Sequence, residues 1–305
     1  MRGTLCTLAL LAFTGLSCGG TVQHVSALAM PSPNQADAAQ HARHHEDGDH
    51  DADEGSWSED LPEKEEIRKS FELSVGSHVE IRSINGSVDV ETADTNTAEV
   101  LVVRSARKRA DFETRKFTVE ATANGLVIAG ESDRGGRRPD VRARVTVKLP
   151  RSIALDVEGV NGRVRVGEID GKILISGVNG SVNVARAHST SSISGINGKV
   201  VLTLQELDAN GLEISGVNGK VELHFAESLN AELTVDGING NVYSEIGNIT
   251  VKGKIEPSSF KGRIGEGGPM IRVTGVNGNV ELLRAGVSRT GDGVSIDTNK
   301  VDWSR

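Results

Sequence analysis

A short phrase recurs seven times in this chain of 305 residues: an aliphatic residue, then Asn-Gly, then any residue, then Val. Its Asn-Gly pairs are Asn85-Gly86, Asn161-Gly162, Asn179-Gly180, Asn197-Gly198, Asn218-Gly219, Asn239-Gly240 and Asn277-Gly278. After Asn161 the copies follow at intervals of 18, 18, 21, 21 and 38 residues. We interpret the last interval as two periods with one degenerate copy, and the 76 residues before Asn161 as about four periods. A fixed short period predicts stacked repeats.

Each repeat has the pattern of β-strands. In the copy at Asn179, the residues Ile173, Ile175, Val182 and Val184 place an aliphatic side chain at every second position on either side of the Asn-Gly pair. This alternation is typical of half-buried strands. Asn-Gly accepts a tight bend because Gly adopts positive φ at little steric cost. One period therefore predicts two short strands and two corners, and the domain is predicted to be all-β.

Two all-β architectures fit the repeat. In a β-solenoid, or β-helix, each coil has 18–21 residues with Asn-Gly corners, and equivalent strands pair in parallel. The alternative is an antiparallel β-meander sandwich in which each Asn-Gly is a hairpin turn, so that Ile175 faces Val184. The nearly constant period favours the solenoid, because a coil has a set circumference. Stacked coils would also align the Asn side chains into a ladder of hydrogen-bonded amides.

The N-terminus has the features of an export signal. We assign residues 1–17 to a signal peptide, because the apolar run Leu5–Phe13 is too short to span a bilayer. The sequence Gly15-Leu16-Ser17-Cys18 resembles a bacterial lipobox, which implies that Cys18 is lipidated. Gly19 in place of Asp favours the outer membrane by the same resemblance. The alternative is ordinary secretion with cleavage after Ala27-Leu28-Ala29, which gives a soluble periplasmic protein.

Composition divides the rest of the chain into three parts. Residues 18–66 are predicted to be a disordered tether, because 37–66 contain 12 acidic and 2 basic side chains and almost no aliphatic ones. A charged tether holds a domain away from the membrane surface. Residues 67–285 are the predicted β-repeat domain, and 286–305 a C-terminal tail or a cap on the last coil. No disulfide is expected, since Cys18 is the only cysteine left after signal removal.

The tether contains a histidine cluster. Its members are His41, His44, His45 and His50, interspersed with carboxylates. Imidazole and carboxylate both bind divalent transition metals, so weak and exchangeable metal binding is one interpretation. The spacing fits no closed four-ligand zinc pattern. We therefore assign no metal to the protein, and treat the other histidines (His24, His78, His188 and His224) as isolated.

The sequence contains no signature of catalysis. His-Glu-x-x-His, a Walker loop and a dinucleotide fingerprint are absent from it, and its Gly-x-Ser-x-Gly match, Gly15–Gly19, lies across the predicted lipobox and not at a strand-to-helix turn. Glycoside hydrolysis needs paired carboxylates, but the acidic residues of the repeats fall at differing offsets from Asn-Gly. These residues are Asp156, Glu158, Glu168, Asp170, Glu213, Glu222 and Asp236. We predict that the protein is not an enzyme and has no cofactor. A polysaccharide-active β-helix enzyme remains a further alternative.

One segment is rich in basic residues. Between positions 104 and 144 there are 11 basic and 6 acidic side chains. The basic ones are Arg104, Arg107, Lys108, Arg109, Arg115, Lys116, Arg134, Arg137, Arg138, Arg142 and Arg144. They could form a surface for lipopolysaccharide, an anionic polymer or the acidic tether, or simply be the solvated faces of strands. Nucleic acid is not an expected partner of an exported chain without a nucleic-acid-binding motif.

Two runs of sequence resemble a known family. The strand Val141–Pro150 ends in Leu-Pro, and Gly-Val-Asn-Gly repeats follow it. This arrangement resembles the bacterial "putative adhesin" β-strand-repeat domains over about residues 70–285. Gly195-Ile196-Asn197 and Gly237-Ile238-Asn239 also resemble the head domain named for its Gly-Ile-Asn motif. The resemblance implies a β-repeat fold and carries no catalytic or cofactor residues.

From these patterns we expect an exported, lipid-anchored β-repeat protein of the cell envelope that acts as a non-catalytic, adhesin-like interaction module. Its partner would be an envelope protein or a glycan, and it would meet the membrane only through its lipid. Association of several copies along exposed strand edges is an open alternative. A second functional alternative is an envelope-stress or signalling accessory protein that binds a membrane partner.

Overall fold

The computed structural model describes residues 61–130, 140–188, 191–252, 259–290 and 293–296. The predicted signal peptide, Cys18 and the cluster from His41 to His50 lie outside the described residues. So does Trp303 of the tail. Strand β1 begins at Glu63, within the segment assigned to the tether. In the described part of the chain, no helix is long and apolar enough to cross a bilayer.

The described chain is almost entirely β, which confirms the predicted class. The strands are β1 Glu63–Glu72, β2 His78–Arg82, β3 Val88–Ala93, β4 Thr97–Ala106, β5 Phe117–Thr122, β6 Gly125–Gly130, β7 Val141–Pro150, β8 Ala154–Glu158, β9 Val164–Ile169, β10 Ile173–Ser176, β11 Val182–Ala187, β12 Ser191–Asn197, β13 Val200–Leu204, β14 Leu212–Asn218, β15 Val221–Phe225, β16 Ala231–Asp236, β17 Val242–Ser244, β18 Ile249–Val251, β19 Ser259–Ile264, β20 Met270–Asn277, β21 Val280–Arg284, β22 Val287–Thr290 and β23 Gly293–Ile296. A single helical turn, α1, spans Asp111–Thr114.

The strands form two large sheets. Sheet A has the order β1-β4-β7-β3-β9-β11-β13-β15-β21-β17, and sheet B the order β18-β19-β16-β20-β14-β12-β10-β8-β2-β6-β5. Strands β22 and β23 pair with each other in a third, two-stranded sheet. Each Asn-Gly bend leads from a strand of sheet B to a strand of sheet A. The two strands that flank a bend therefore belong to different sheets and are not hairpin partners.

Equivalent strands of neighbouring repeats pair in parallel. In sheet B, Ile175 of β10 lies opposite Val157 on one side and Ile193 on the other. In sheet A, Val184 of β11 lies opposite Val166 and Leu202. This is the pairing that stacked coils require. The hairpin pairing of Ile175 with Val184 does not occur, because these two residues lie in different sheets.

The spacing of the repeats has a different origin from the one we inferred. Asn85 forms a parallel bridge with Asn161, so the two are neighbours, and the 76-residue interval contains β3, β4, α1, β5, β6, β7 and β8 instead of four coils. In its described residues, the 38-residue interval contains β17, β18 and β19 and no further coil of the stack. Strand β20 lies between β14 and β16, so the last copy of the motif is inserted into the stack between the two preceding copies.

One aliphatic core fills the space between sheets A and B. Inward residues such as Ile175, Ile193 and Leu202 are at most 1% exposed and belong to one continuous cluster. Burial of each such side chain contributes about 1.5–3 kcal/mol relative to exposure. The Gly of the motif is required by close packing between coils. At Gly198, where φ is +152°, a Cβ would overlap the backbone carbonyl oxygen of Gly180 in the adjacent repeat.

The two ends of the stack depart from the parallel pattern. At one end, β1 pairs antiparallel with β4, β4 with β7, and β5 with β6. At the other end, β19 pairs antiparallel with β16, and the three-residue strand β18 pairs with β19. Short edge strands such as β17 and β18 offer few open backbone groups to another chain. These strands occupy the stack ends within the described chain, and the cap suggested for residues 286–305 stays a prediction.

Candidate functional site

The asparagines of the motif form a ladder along one corner of the stack. Each side-chain Nδ2 donates to the Oδ1 of the Asn in the adjacent repeat, at 2.8–3.0 Å. The spatial order is Asn85, Asn161, Asn179, Asn197, Asn218, Asn277 and Asn239. At the first end, Asn85 Nδ2 donates to the carbonyl oxygen of Val141 at 2.9 Å. An ionised Asp side chain has no hydrogen-bond donor, which explains why Asn occupies this position.

The residue between Asn-Gly and Val forms a second row, on the outer face of sheet A. The register follows from backbone bonds: Val164 N–H donates to the Ser181 carbonyl and Val182 N–H to the Lys199 carbonyl, each at 2.8 Å. In spatial order the row contains Ser87, Arg163, Ser181, Lys199, Lys220, Asn279 and Asn241. Parallel strands lie about 4.8 Å apart, so the row presents side chains at that regular spacing.

A charged network lies beside this row in the middle of sheet A. The Glu222 side chain is only 8% exposed, and its Oε1 lies 3.0 Å from Lys199 Nζ and 2.9 Å from Lys220 Nζ. Lys220 also reaches Glu281 Oε1 at 3.0 Å. Burial alone raises the pKa of Glu222. Hydrogen bonds from His224 and Lys220 and the charge of Lys199 outweigh it and bring the pKa to about 2. The network is therefore charged at neutral pH.

A second network surrounds Glu168 on β9. Its Oε1 accepts from Arg186 at 2.6 Å, its Oε2 lies 2.9 Å from Arg151 Nη1, and His188 Nε2 lies 3.2 Å from Oε1. Burial raises the pKa of Glu168, but the hydrogen bonds from His188 and Arg186 and the charge of Arg151 lower it overall. Asp170 completes a group whose possible ligand atoms lie within 4.8 Å of one another. Because guanidinium groups already bind both carboxylate oxygens of Glu168, the arrangement functions as an ion-pair network.

The basic segment is divided among several places. Arg104 is buried, pairs with Glu65, donates to the Arg115 carbonyl oxygen at 2.7 Å and lies over the ring of Phe112 at 4.9 Å. Its role is to hold α1 and β1 against β4. Arg107, Lys108 and Arg109 are exposed beside α1. The residues Arg134, Arg137 and Arg138 lie outside the described residues.

Two grooves open on the outer face of sheet A, over β1, β4 and β7. The first has a volume of about 110 Å³ and is lined by Lys64, Gly86, Ser87, Val103, Ser105, Arg142, Ala143, Arg144 and Arg163. The second has a volume of about 470 Å³ and is lined by Arg68, Lys69, Ser70, Glu91, Glu99, Val100, Leu101, Thr146 and Lys148. Of the predicted basic segment, only Arg142 and Arg144 line the first groove.

Sequence reasoning missed Lys64 and Arg163 as groove residues. Lys64 falls in the segment assigned to the tether, and Arg163 comes directly after Asn161-Gly162 in a repeat treated as structural. Antiparallel pairing of β1 with β4 and of β4 with β7 brings Lys64 beside Arg142, and parallel pairing of β3 with β7 and β9 brings Arg163 to the same groove. A signal was available for Arg163, because the residue after Asn-Gly points outward in every copy. For Lys64 the alternation of charged and apolar residues through Ile67 and Phe71 was the usable signal.

The carboxylates of the repeats divide between the two sheets. Asp156, Glu158, Glu213 and Asp236 lie on strands of sheet B, and Glu168 and Glu222 on strands of sheet A. Asp156 lies opposite Leu174 and Glu213 opposite Ser192. Of the scattered histidines that the structure describes, His188 and His224 approach Glu168 and Glu222, while His78 is an exposed residue at the start of β2.

Comparison with known proteins gives structural neighbours only. No family model and no curated protein matches the chain. A "putative cell adhesion protein" from Clostridium sporogenes matches with 13% identity over 73% of this chain and 100% of its own, at a TM-score of 0.42. A "putative adhesin" from Bacteroides fragilis matches with 12% identity over 73% of this chain and 99% of its own, at a TM-score of 0.36. A "putative adhesin" from Parabacteroides merdae matches with 12% identity over 72% of this chain and 97% of its own, at a TM-score of 0.26. Their names agree with the resemblance seen in the sequence. Likeness at this level says nothing of this chain's function.

Proposed function

We propose that the chain is a non-catalytic interaction module of the cell envelope, anchored through Cys18, which binds its partner on the outer face of sheet A. The observation that supports this most directly is the pair of adjoining grooves over β1, β4 and β7. Concave surface with a few convergent polar groups is where proteins most often bind other molecules. The aliphatic core and the Asn ladder keep the strands beneath these grooves in fixed register.

The rest of the proposal follows from the layout of the chain. The acidic tether repels itself and extends, so a lipid at Cys18 would leave the grooves accessible to other envelope components. The partner we propose is a glycan or a protein of the envelope, and the groove lined by Ser70, Glu99 and Lys148 offers it both charges and hydroxyls. The accessory-protein alternative shares this binding face and differs only in the identity of the partner.

A thiol-labelling experiment tests the binding face. The chain has cysteines only at positions 6 and 18, so in the mature chain with Cys18→Ser a new cysteine is the only thiol and can be labelled selectively. A bulky maleimide on Ser70→Cys would cover the larger groove. The same label on Glu213→Cys, an exposed residue of β14 in sheet B, is the matched control. Binding of the mature chain to intact cells and to a glycan array should fall at least tenfold for labelled Ser70→Cys. For labelled Glu213→Cys it should stay within twofold of the unlabelled protein.

The outcomes separate the alternatives. Equal binding by both labelled proteins would place the binding face elsewhere and overturn the proposal. The proposal is also wrong if the chain binds no cells, glycans or envelope proteins. Capture of one envelope protein favours the accessory role. Release of sugar products from bound glycan would make the chain an enzyme. Mass spectrometry of the mature N-terminus tests the anchor: diacylglyceryl-Cys18 supports it, and a free N-terminus at Met30 contradicts it.

A further inference from the structure

The smaller groove on sheet A has an unusual electrostatic composition. Four of its lining residues carry positive charge (Lys64, Arg142, Arg144 and Arg163), and none of the lining residues in the described chain is acidic. Converging cations in a concave site raise the local potential, because low-dielectric walls focus the field. Such a site attracts anions more strongly than the same charges spread over a flat strand.

The strand register explains how four cations converge from β1, β7 and the corner before β9. On β4, Ser105 lies between Lys64 of β1 and Arg142 of β7. Val103 of β4 lies opposite Arg144 of β7. On the other side of β7, the Val88 N–H donates to the Arg163 carbonyl at 2.8 Å, which brings the corner of β3 and its Ser87 beside Arg163. Ser87, Val103 and Ser105 therefore lie between the cationic side chains.

Arg163 distinguishes this groove from an ordinary basic surface. Its Nε is buried and has no hydrogen-bond partner in the structure. Among the described residues, Arg163 and Lys64 form no ion pair. Arg142 does have one, with Asp140 at 3.4 Å, and Arg165, two residues after Arg163, lies 3.9 Å from Asp89. A buried guanidinium N–H without an acceptor costs free energy, and the Arg163 side chain would gain an acceptor by turning its guanidinium towards an anion in the groove.

We infer that this groove binds a tetrahedral oxyanion, the phosphate group of a phosphate ester or of free phosphate. Arg163 contributes a guanidinium fork that matches phosphate oxygens, Arg142 and Arg144 add positive charge to the wall of the groove, and Lys64 contributes a mobile charge. Ser87 and Ser105 contribute hydroxyl groups that can donate to the same oxygens. The cavity of about 110 Å³ accommodates one such group, and its opening leaves room for the rest of a larger molecule. This inference specifies one subsite of the face proposed above.

Phosphorus NMR with inorganic phosphate as the probe tests the site directly. The mature chain with Cys18→Ser should broaden the phosphate resonance at low ionic strength, and added salt should reverse the effect. Arg163→Gln should weaken phosphate binding about tenfold, since it removes a charge-assisted hydrogen bond. Arg163→Lys should keep part of the affinity, because it keeps the charge and loses the fork. Arg272→Gln, an exposed residue of β20 in sheet B, is the matched control and should stay within twofold.

Sedimentation with vesicles separates the two sources of phosphate. Binding to phosphatidylglycerol vesicles but not to phosphatidylcholine vesicles, with the same loss in Arg163→Gln, identifies a lipid phosphodiester. Binding of inorganic phosphate alone identifies free phosphate or a soluble ester.

If Arg163→Gln fails to fold by circular dichroism, Lys64→Gln on the edge strand β1 replaces it and should weaken binding at least threefold. The inference is wrong if no phosphate binds, or if the groove variants bind as well as Arg272→Gln. In that case the labelling result at Ser70 still stands on its own.

Discussion

The middle of the stack and its first end treat the same motif position differently. In the middle, Lys199 and Lys220 follow Asn-Gly and both pair with Glu222, which lies on β15 two residues after Lys220. At the first end, Arg163 occupies that position and forms no ion pair among the described residues. Arg163 belongs to the second repeat of the stack, whose two neighbours have Ser87 and Ser181 at this position. Asp89 on the neighbouring strand is already paired with Arg165, so the charge of Arg163 is left available for another molecule.

A coil corner and a loop outside the coils differ in how tightly the backbone approaches its neighbours. In the middle, Gly198→Ala would place a methyl group against the Gly180 carbonyl oxygen at positive φ. We expect the loss in free energy of unfolding to exceed about 4 kcal/mol. Gly76, in the loop before β2, also has positive φ (+79°), but a Cβ added there would meet no atom within 4 Å. Gly76→Ala should cost only about 1–2 kcal/mol for the left-handed conformation. Urea unfolding of both variants measures the difference, and equal losses would refute close packing of the coils.

Acid should affect the middle more than the first end. The folded pKa of Glu222 is about 2, below the ordinary value of 4.5, so its ionised form stabilises the fold above pH 4.5. This contribution is lost as the pH falls from 4.5 towards 2. At neutral pH it is on the order of 3 kcal/mol. Glu222→Gln should therefore destabilise the protein at pH 7, and the difference from wild type should shrink below pH 4.5.

The matched control for this titration lies on β1. Glu66 pairs with Arg68 at 3.1 Å in an exposed position, and exposed pairs contribute little because water and salt screen them. Glu66→Gln should change the unfolding midpoint only slightly at any pH. A pH-independent effect of Glu222→Gln would show that the carboxylate acts only through packing.

The Asn ladder gives a smaller contrast between the middle and an end. Asn179 donates one side-chain hydrogen bond to Asn161 and accepts another from Asn197. Asn239 donates one to Asn277 and ends the ladder. At about 1 kcal/mol for each hydrogen bond, Asn179→Ala should cost about 2 kcal/mol and Asn239→Ala about half as much. Denaturant midpoints of the two variants measure this, and a larger loss at Asn239 would contradict the ladder's contribution.

The same contrast separates what the sequence could and could not predict. Alternation at Ile173 and Ile175 and the constant period were enough for the strands, the all-β class and the alignment of the asparagines. The spatial order of the last repeats was not predictable, because the motif at Asn277 is the same whether its coil lies last or between two others. The groove was not predictable either. It depends on antiparallel partners of β7, and strand pairing between segments as distant as Lys64 and Arg142 leaves no local pattern.

One backbone position tests the contrast with the smallest expected effect. The position two residues before the motif Asn has left-handed backbone. Its φ is between +62° and +66° at Gly159, Gly177, Gly195 and Gly216, and the first repeat has Ser83 there, with φ +58°. A left-handed Ser costs about 1–2 kcal/mol, while Gly adds about 0.5–1 kcal/mol of entropy to the unfolded chain. Ser83→Gly should thus stabilise the protein by up to about 1 kcal/mol, and Gly177→Ser in the middle should destabilise it by a similar amount. Thermal unfolding of the two variants measures both signs. A Cβ added at Gly177 would make only ordinary contacts with Gly159, so the expected loss comes from the left-handed conformation alone. A stabilising Gly177→Ser would therefore mean that the middle repeats do not depend on glycine at this corner.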